Sequence, residues 1–460
     1  MNLKDYLESL QGKTVAVIGI GVSNTPLIRL LREGGIAVTA CDKKSREELG
    51  ELAAELEAMG AKLRLGEGYL RDLTEDVIFR TPGMRPDVPE LCAAIERGSV
   101  LTSEMEVFFE VCPCPILAVT GSDGKTTTTT LVSELLKAEG KTVHVGGNIG
   151  HPLLAEAGEM SCDDFAVLEL SSFQLMTMRK SADKAIVTNL SPNHLDVHKN
   201  YREYVEAKEN IFLHQNGDGL LILNADNEDD AALAPKAKGK VLWFSRQKAV
   251  ESGVSLKDGV IYYTENGESR EVLAVSDIRI PGTHNIENYM AAIAMVQGLV
   301  SDETIRQVAK TFNGVAHRIE LVRTLRGVRY YNDSIASSPS RTIAGLRSFP
   351  EKVILIAGGK DKGIPYDEIG PEIRMHVKEL FLTGMTAEKI RRAVVDAPDY
   401  DAEALPIHEF EDFRETILAA SAAAKEGDVV ILSPASTSFD KFRNFAHRGD
   451  TFRAIVEELK

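Results

Sequence analysis

At 460 residues the chain is long enough for about three domains of ordinary size, each able to bury its own core. Hydrophobic residues at 43% and charged residues at 27% exclude a disordered chain, a collagen-like repeat and a membrane bundle, leaving a soluble globular protein as the expectation. A net charge of -16 opposes general adhesion to DNA, RNA or anionic lipid, so any phosphorylated ligand must meet a local site. The start, MNLKDYLESL, carries acids and lacks the apolar stretch of a signal peptide, which points to the cytoplasm without membrane insertion. Cys41, Cys92, Cys112, Cys114 and Cys162 form neither a disulfide framework nor a paired zinc motif. Cys112-Pro-Cys114 supplies two ligands where structural zinc takes about four, so the cysteines read as buried small hydrophobes.

Apolar β-branched runs alternate with amphipathic stretches, the pattern of βα units that build mostly parallel sheets, and the pattern restarts three times. The first block opens with Thr14-Val-Ala-Val-Ile-Gly19, followed by a helix over residues 26–33, a Gly34-Gly35 stop and a strand that ends at Asp42. The second opens with Pro115-Ile-Leu-Ala-Val-Thr120. The third follows a helical stretch over residues 285–299 and contains Val353-Ile-Leu-Ile-Ala357 and Asp428-Val-Val-Ile-Leu432 as buried strands. The expected fold is α/β in three domains, residues 1–110, 111–313 and 314–460: a Rossmann-like N-terminal domain, a P-loop ATPase-like centre and a Rossmann-like C-terminal domain. Residues 216–280 are rich in Asp and Gly and read as a hairpin-like insertion in the middle block.

Gly19-Ile-Gly21-Val22-Ser23-Asn24 lies between a strand and a helix, where a nucleotide diphosphate can meet backbone N–H groups and the helix dipole. The alternative is an empty Rossmann-like turn, since Asn24 replaces the third glycine of the dinucleotide fingerprint, although Asp42 stands near the spacing of a ribose-binding acid. Thr81-Pro82-Gly83 is another strand-end turn. Thr120-Gly121-Ser122-Asp123-Gly124-Lys125-Thr126 is the strongest signal. Its glycines let backbone amides cradle phosphate, Lys125 can reach the terminal phosphates, and the Thr126 hydroxyl can hold Mg²⁺. Glu169 ends the strand-like Ala166-Val-Leu-Glu-Leu170, where an acid meets magnesium; the alternative is a surface glutamate. Magnesium prefers oxygen, so His194 in Asn193-His-Leu-Asp196 reads by chemistry alone as a hydrogen-bonding residue. Lys208, in a helix with many surface charges, reads by default as a solvated lysine. Asn285 and Asn288 lie one turn apart on a shared helix face, and the tail from Ser433 mixes hydroxyls with phenylalanines, suiting a small polar ligand.

Taken in order, the phosphate loop, Gly147-Asn148-Ile-Gly150, Glu169-Leu-Ser-Ser-Phe-Gln-Leu175, Asn193-His-Leu-Asp196, His284-Asn285, His317-Arg318, Asn332-Asp333-Ser334 and the Ser433-Pro-Ala tail resemble the Mur ligases over nearly the whole chain. Glu-Leu-Ser-Ser-Phe-Gln-Leu and the Phe442-Arg-Asn-Phe445-Ala-His-Arg-Gly449-Asp450 tail are most similar to the members that add D-glutamate to UDP-N-acetylmuramoyl-L-alanine. The resemblance implies that Val22, Ser23, Asp42, Thr81, Pro82, Gly83 and Asn148 meet the UDP-sugar. It implies that Gly121, Ser122, Asp123, Gly124, Lys125 and Thr126, with Asn285, Arg318 and Asp333, hold ATP. Thr126, Glu169, His194 and Lys208 would support magnesium, with Lys208 matching the family lysine carbamylated by CO₂. A carbamate offers cations oxygen ligands and negative charge where an ammonium would be repelled. Lys362, Ser438 and Phe445 match residues around D-glutamate. Family members commonly show Asp-Ser-Lys-Ala-Thr-Asn where this chain has Asp333-Ser-Ile335-Ala-Ser337, and Arg341 stands where it can restore the lost positive charge.

The implied reaction transfers the γ-phosphoryl of ATP to the acceptor carboxylate, and the amino-acid amine then attacks the acyl phosphate, with Lys125, His194 and Lys208 as the catalytic set. Folylpolyglutamate synthetase is the closest enzyme rival, but it normally lacks an N-terminal UDP-binding domain. A rival of another class reads residues 19–24 as the dinucleotide site of an NAD-dependent dehydrogenase or a nucleotide-sensing protein.

Overall fold

The computed structural model describes residues 1–396 and 400–460. Among these residues three sheets form in succession. The first is parallel, in the order β3-β2-β1-β4-β5, from β1 (Thr14–Ile18), β2 (Ala37–Asp42), β3 (Lys62–Leu65), β4 (Val77–Phe79) and β5 (Val100–Thr102). The second contains β6 (Ile116–Thr120), β7 (Val143–Gly147), β8 (Phe165–Glu169), β9 (Lys184–Val187), β10 (Leu220–Asn224), β11 (Lys240–Ser245), β12 (Gly253–Lys257), β13 (Val260–Glu265) and β14 (Glu268–Ala274). Its order is β14-β13-β12-β11-β10-β9-β6-β8-β7, parallel from β12 to β7 and antiparallel at the other edge. The third, in the order β15-β16-β20-β17-β18-β19, comprises β15 (Glu320–Leu325), β16 (Val328–Asn332), β17 (Val353–Ala357), β18 (Val377–Leu382), β19 (Ile407–Glu409) and β20 (Val429–Leu432).

The strands form where apolar runs can bury both faces, as a parallel sheet covered by helices requires. In β6, Leu117, Ala118 and Val119 are all at most 1% exposed. Full burial of each Leu or Val contributes about 1.5–3 kcal/mol, so this strand is firmly held where it delivers the phosphate loop. In the third sheet, Leu355, Leu380 and Ile431 pack into one core, whereas Ile354, Ile356 and Val430 pack with Phe452 into another, the two-face alternation of strand geometry.

The expected insertion over residues 216–280 is corrected. β10 and β11 extend the central parallel sheet, and only β12 to β14 form antiparallel pairs. Leu221, Ile222 and Leu223 are buried, so β10 belongs inside a sheet rather than in a half-wetted hairpin. The cysteine expectation holds for buried Cys41 and Cys114 but not for half-buried Cys92 and Cys112 or exposed Cys162.

Two compact units are present, Met1–Val275 with Glu287–Val308, and Ser276–Ile286 with Ala309–Lys460. The first two sheets share the first unit, where Arg80 and Arg85 tie them together. Arg80, 1% exposed, donates to the carbonyls of Pro82, Met84 and Phe173 and to Thr177 Oγ1. Arg85 pairs with Asp87 and, at 2.9 Å, with Glu203 of the helix Tyr201–Glu209. Among the described residues no helix is long and apolar enough to cross a membrane.

Candidate active site

Parallel register brings the motif residues to one end of each sheet, the carboxyl end, where ligands of open α/β sheets collect. Val119 lies opposite Glu169, Thr120 opposite Val187, and Gly147 opposite Glu169, so the phosphate loop, the acid and Asn148 share one rim. Gly19, Asp42 and Thr81 follow or close β1, β2 and β4 on the corresponding rim of the first sheet.

The phosphate loop needs glycine at two places. Gly121 has φ +144° and a Cβ there would lie 1.9 Å from Thr188 Oγ1; Gly124 has φ +79° and a Cβ would lie 2.4 Å from Asn288 Oδ1. The neighbouring strand end fixes the loop: Ser122 N–H donates to Asn189 O at 2.9 Å, Asp123 N–H to Asn189 Oδ1 at 3.0 Å, and Thr188 Oγ1 to Asp123 O at 2.5 Å. Thr126 stands in the first turn of the helix Lys125–Ala138. Lys125 Nζ donates to Gly121 O at 2.9 Å and Ser122 O at 2.8 Å, which folds the ammonium over the loop.

Lys208 departs from the solvated lysine of the default reading. It is 1% exposed, and its Nζ donates to Gly121 O at 2.8 Å and Thr120 Oγ1 at 3.2 Å. Its helix turns this face against the phosphate loop, with Tyr204 one turn earlier bonded to Ser122 Oγ at 2.9 Å. Burial, reinforced by the charge of Lys125, holds the Lys208 amine well below the usual lysine range.

Glu169 is 1% exposed, so the surface alternative is removed. Oε1 accepts from Asn148 Nδ2 at 2.7 Å, and Oε2 is buried without a partner among the described residues. An acceptor left in that state is costly unless a donor or cation meets it. Phe173 of the Glu169 motif lies edge-on to His194, ring centroids 5.1 Å apart, and stacks on His198 at 5.4 Å. His194 itself is exposed with a left-handed φ of +53°. Partial burial and the charges of Lys125 and Lys208 lower its pKa, against the pull of Asp196. Among the described residues no group of three or more His, Cys, Asp or Glu forms a metal cage. Thr126 and Glu169 offer the hard oxygens magnesium uses, whereas His194 offers a ring nitrogen and Lys208 would offer oxygen only as a carbamate.

A cavity of about 220 Å³ opens beside this centre, lined by Val22, Ser23, Pro82 and Asn148 of the expected UDP-sugar set. Val22 is 82% exposed, and Ser23 at the helix N-cap makes no capping bond. Asp42, Thr81 and Gly83 do not line it. Asp42 instead accepts from Ile20 N–H at 2.6 Å and Lys44 N–H at 2.9 Å, shaping the loop from below. Asn24, at the position of the third glycine, donates from Nδ2 to Ile18 O at 2.8 Å, while Oδ1 has no partner among the described residues.

In the second unit Asn285 Nδ2 donates to Pro281 O at 2.6 Å. Asp333, 4% exposed, accepts from Ser433 Oγ at 2.7 Å and Ile319 N–H at 3.3 Å, and burial pushes its carboxyl up to about 7. Arg318 lies between two left-handed residues, His317 at φ +63° and Ile319 at φ +43°, and its buried Nε has no partner among the described residues. Such backbone is strained for a β-branched residue and concentrates at functional sites. Arg341 reaches Ile335 O at 3.3 Å, and Ser337 N–H bonds the same carbonyl at 2.8 Å. Phe445 is 40% exposed, its ring 6.0 Å from His317, whereas Ser438 is buried at 2% and its carbonyl accepts from Phe442 N–H at 2.9 Å. Lys362 is exposed, and among the described residues no hydrogen bond joins it to this group.

Arg448 escaped the sequence reading. It is 2% exposed and donates to Ser334 Oγ and O, Ser436 O and Thr437 O at 2.9–3.1 Å, locking the 334 turn to the 436–437 tail. In sequence an arginine beside His447 and Asp450 looks like any surface charge; the motif around it was the available signal.

Residues 119–296 match the Mur ligase middle domain and residues 317–436 the Mur ligase, glutamate ligase domain. The chain is 52% identical to the UDP-N-acetylmuramoylalanine–D-glutamate ligase of Acetivibrio thermocellus, covering 100% of this chain and 99% of the relative. It is 50% identical, at the same coverage, to that of Ruminiclostridium cellulolyticum. Among solved structures, UDP-N-acetylmuramate-alanine ligase of Thermotoga maritima aligns with TM-score 0.59 and 18% identity over 97% of this chain and 100% of that one. FolC of E. coli in complex with ADP aligns with TM-score 0.54 and 17% identity over 77% and 92%. The two structures bear on the fold, and the full-length relatives on the family: the chain belongs to the Mur ligase family of ATP-dependent ligases.

Proposed function

We propose that the chain joins D-glutamate to UDP-N-acetylmuramoyl-L-alanine in the cytoplasm, with ATP as phosphoryl donor and an acyl phosphate as intermediate. Three domains, residues 1–110, 111–313 and 314–460, would take the UDP-sugar, ATP and the amino acid in turn. The observation that carries the reading is the buried Oε2 of Glu169, without a partner among the described residues, on the rim of the phosphate loop whose Gly121 carbonyl accepts from both Lys125 and Lys208. A buried carboxylate oxygen left open beside a phosphate loop suits a site that gathers phosphate and a divalent cation.

Loop amides from Gly121 to Thr126 would cradle the phosphates, and Lys125 would stabilise the charge that develops on the transferring group. Thr126, Glu169, His194 and carbamylated Lys208 would hold magnesium, which when bound lends positive charge to the phosphate oxygens. Burial favours the neutral Lys208 amine, the form whose nitrogen lone pair adds to CO₂ to give a carbamate with loss of one proton. Asn285, Arg318 and Asp333 complete the ATP set, and Ser337, Arg341, Lys362, Ser438 and Phe445 the amino-acid set. Arg341, held at the Ile335 carbonyl, supplies the cation that the family's lysine would give. Once the acyl phosphate has formed, the amine of D-glutamate attacks its carbonyl, and the tetrahedral intermediate collapses to a peptide bond and phosphate. His194 is the side-chain candidate to accept the amine proton only where its ring is not engaged with magnesium, and the substrates' own phosphate oxygens are the other candidate.

The test is a phosphate-release assay with ATP, UDP-N-acetylmuramoyl-L-alanine and D-glutamate, with the product identified by mass. Release that requires all three substrates supports the reading. Release independent of the UDP-sugar overturns it.

A further inference from the structure

Glu104 begins the helix Glu104–Val111 and lines the 220 Å³ cavity, yet the proposed chemistry gives it no part. It is 7% exposed, and Oε1 accepts from Leu154 N–H at 3.0 Å, pinning the segment that follows Gly147-Asn148-Ile-Gly150. Among the described residues no arginine or lysine lines the cavity; His151 is the other titratable lining residue, and its Nε2 lies 3.0 Å from Glu156 Oε2. From its own helix Glu106 faces elsewhere, bonded to Ser103 Oγ at 2.8 Å, and Gln174 and Ser23 bring only neutral groups to the wall. A carboxylate buried with one amide donor and no cation is costly, and the weak field of an eight-residue helix does not offset that burial.

We propose that Glu104 is a positioning residue for the UDP-sugar, entering the cavity as an uncharged carboxylic acid that donates its proton to an oxygen acceptor of the bound substrate. This rests on the assignment of the cavity to the UDP-sugar. The geometry explains why an acid is tolerated where an anionic diphosphate is to bind: in the neutral form Glu104 is a donor, and in the ionised form it repels the ligand. Burial pushes this carboxyl up to about 7, so the change of form falls within the working range of pH. Raised pKa means the proton is held below that pH and lost above it, so substrate affinity is greatest on the acid side.

The experiment measures KM for UDP-N-acetylmuramoyl-L-alanine from pH 6 to 8.5 by phosphate release, with ATP and D-glutamate saturating. If only the protonated form binds, KM rises about fivefold between roughly pH 7 and 8, while KM for ATP does not follow. Glu104→Gln keeps a donor and an acceptor but has no proton to lose, and its KM should stay level over the same range. His151→Asn should retain the rise. A level KM in the wild type, or a Glu104→Gln enzyme that shows the same rise, overturns the proposal. Absence of turnover with the UDP-sugar at every pH would instead overturn the assigned reaction, so the two failures are distinct.

Discussion

Asn148 Nδ2 donates to Glu169 Oε1 at 2.7 Å, joining a residue expected to touch the UDP-sugar to one expected to hold magnesium. Occupying one carboxylate oxygen fixes the orientation of the other, the buried Oε2 that has no partner among the described residues. Asn148→Ala should therefore lower kcat on the order of 10- to 100-fold and raise the magnesium concentration needed for half-maximal rate. Phosphate release across a magnesium series checks it; an unchanged magnesium dependence would separate the two residues.

Lys125→Ala should leave the fold and UDP-sugar binding intact and cost about 3 kcal/mol of transition-state stabilisation, roughly a hundredfold in kcat. The ammonium is folded over the loop by the Gly121 and Ser122 carbonyls, not set into the core. Circular dichroism and single-turnover phosphate release distinguish lost chemistry from lost structure.

Lys208→Ala should lose activity that short carboxylates partly restore, because they would supply the oxygens the carbamate would have provided. An active alanine variant, together with no carbamate on Lys208 in a well-ordered structure at neutral pH, would contradict this assignment.

Much of this site was legible because its motifs carry their own geometry. Gly121 and Gly124 are demanded by backbone and by close neighbours, and the run from Pro115 to Thr120 could hardly be anything but a buried strand. Lys208 was not legible from charge pattern, since a lysine on a polar helix looks solvated until its face meets the phosphate loop; family resemblance alone marked it. Arg80, Arg448 and Glu104 were missed for the same reason, as burial of a single charged side chain leaves no periodic trace. The 216–280 misreading came from turn-forming residues that border β10 and β11, where pairing partners distant in sequence decide the sheet.

Asp333 predicts a pH-dependent stability. Its carboxyl is raised to about 7 by burial, so between the ordinary carboxylate range and that value the folded state binds more protons than the unfolded one. Its contribution is thus fully present at low pH and lost as pH rises through 7. Asp333→Asn removes the titration, so its stability relative to wild type should improve by up to roughly 4 kcal/mol from about pH 4 to pH 8. Urea unfolding of both proteins across that range measures the difference; parallel profiles would show that Asp333 does not titrate there.

The central claim, a ligase specific for a D-configured acidic amino acid, is tested most directly by competition. Lys362 and Arg341 are the cations proposed to share its two carboxylates, with Ser337 and Ser438 as hydroxyl donors. With ATP and UDP-N-acetylmuramoyl-L-alanine fixed, the wild type should consume D-glutamate from an equimolar mixture of D- and L-amino acids, as read by product mass. Incorporation of L-glutamate or a neutral D-amino acid instead would contradict it.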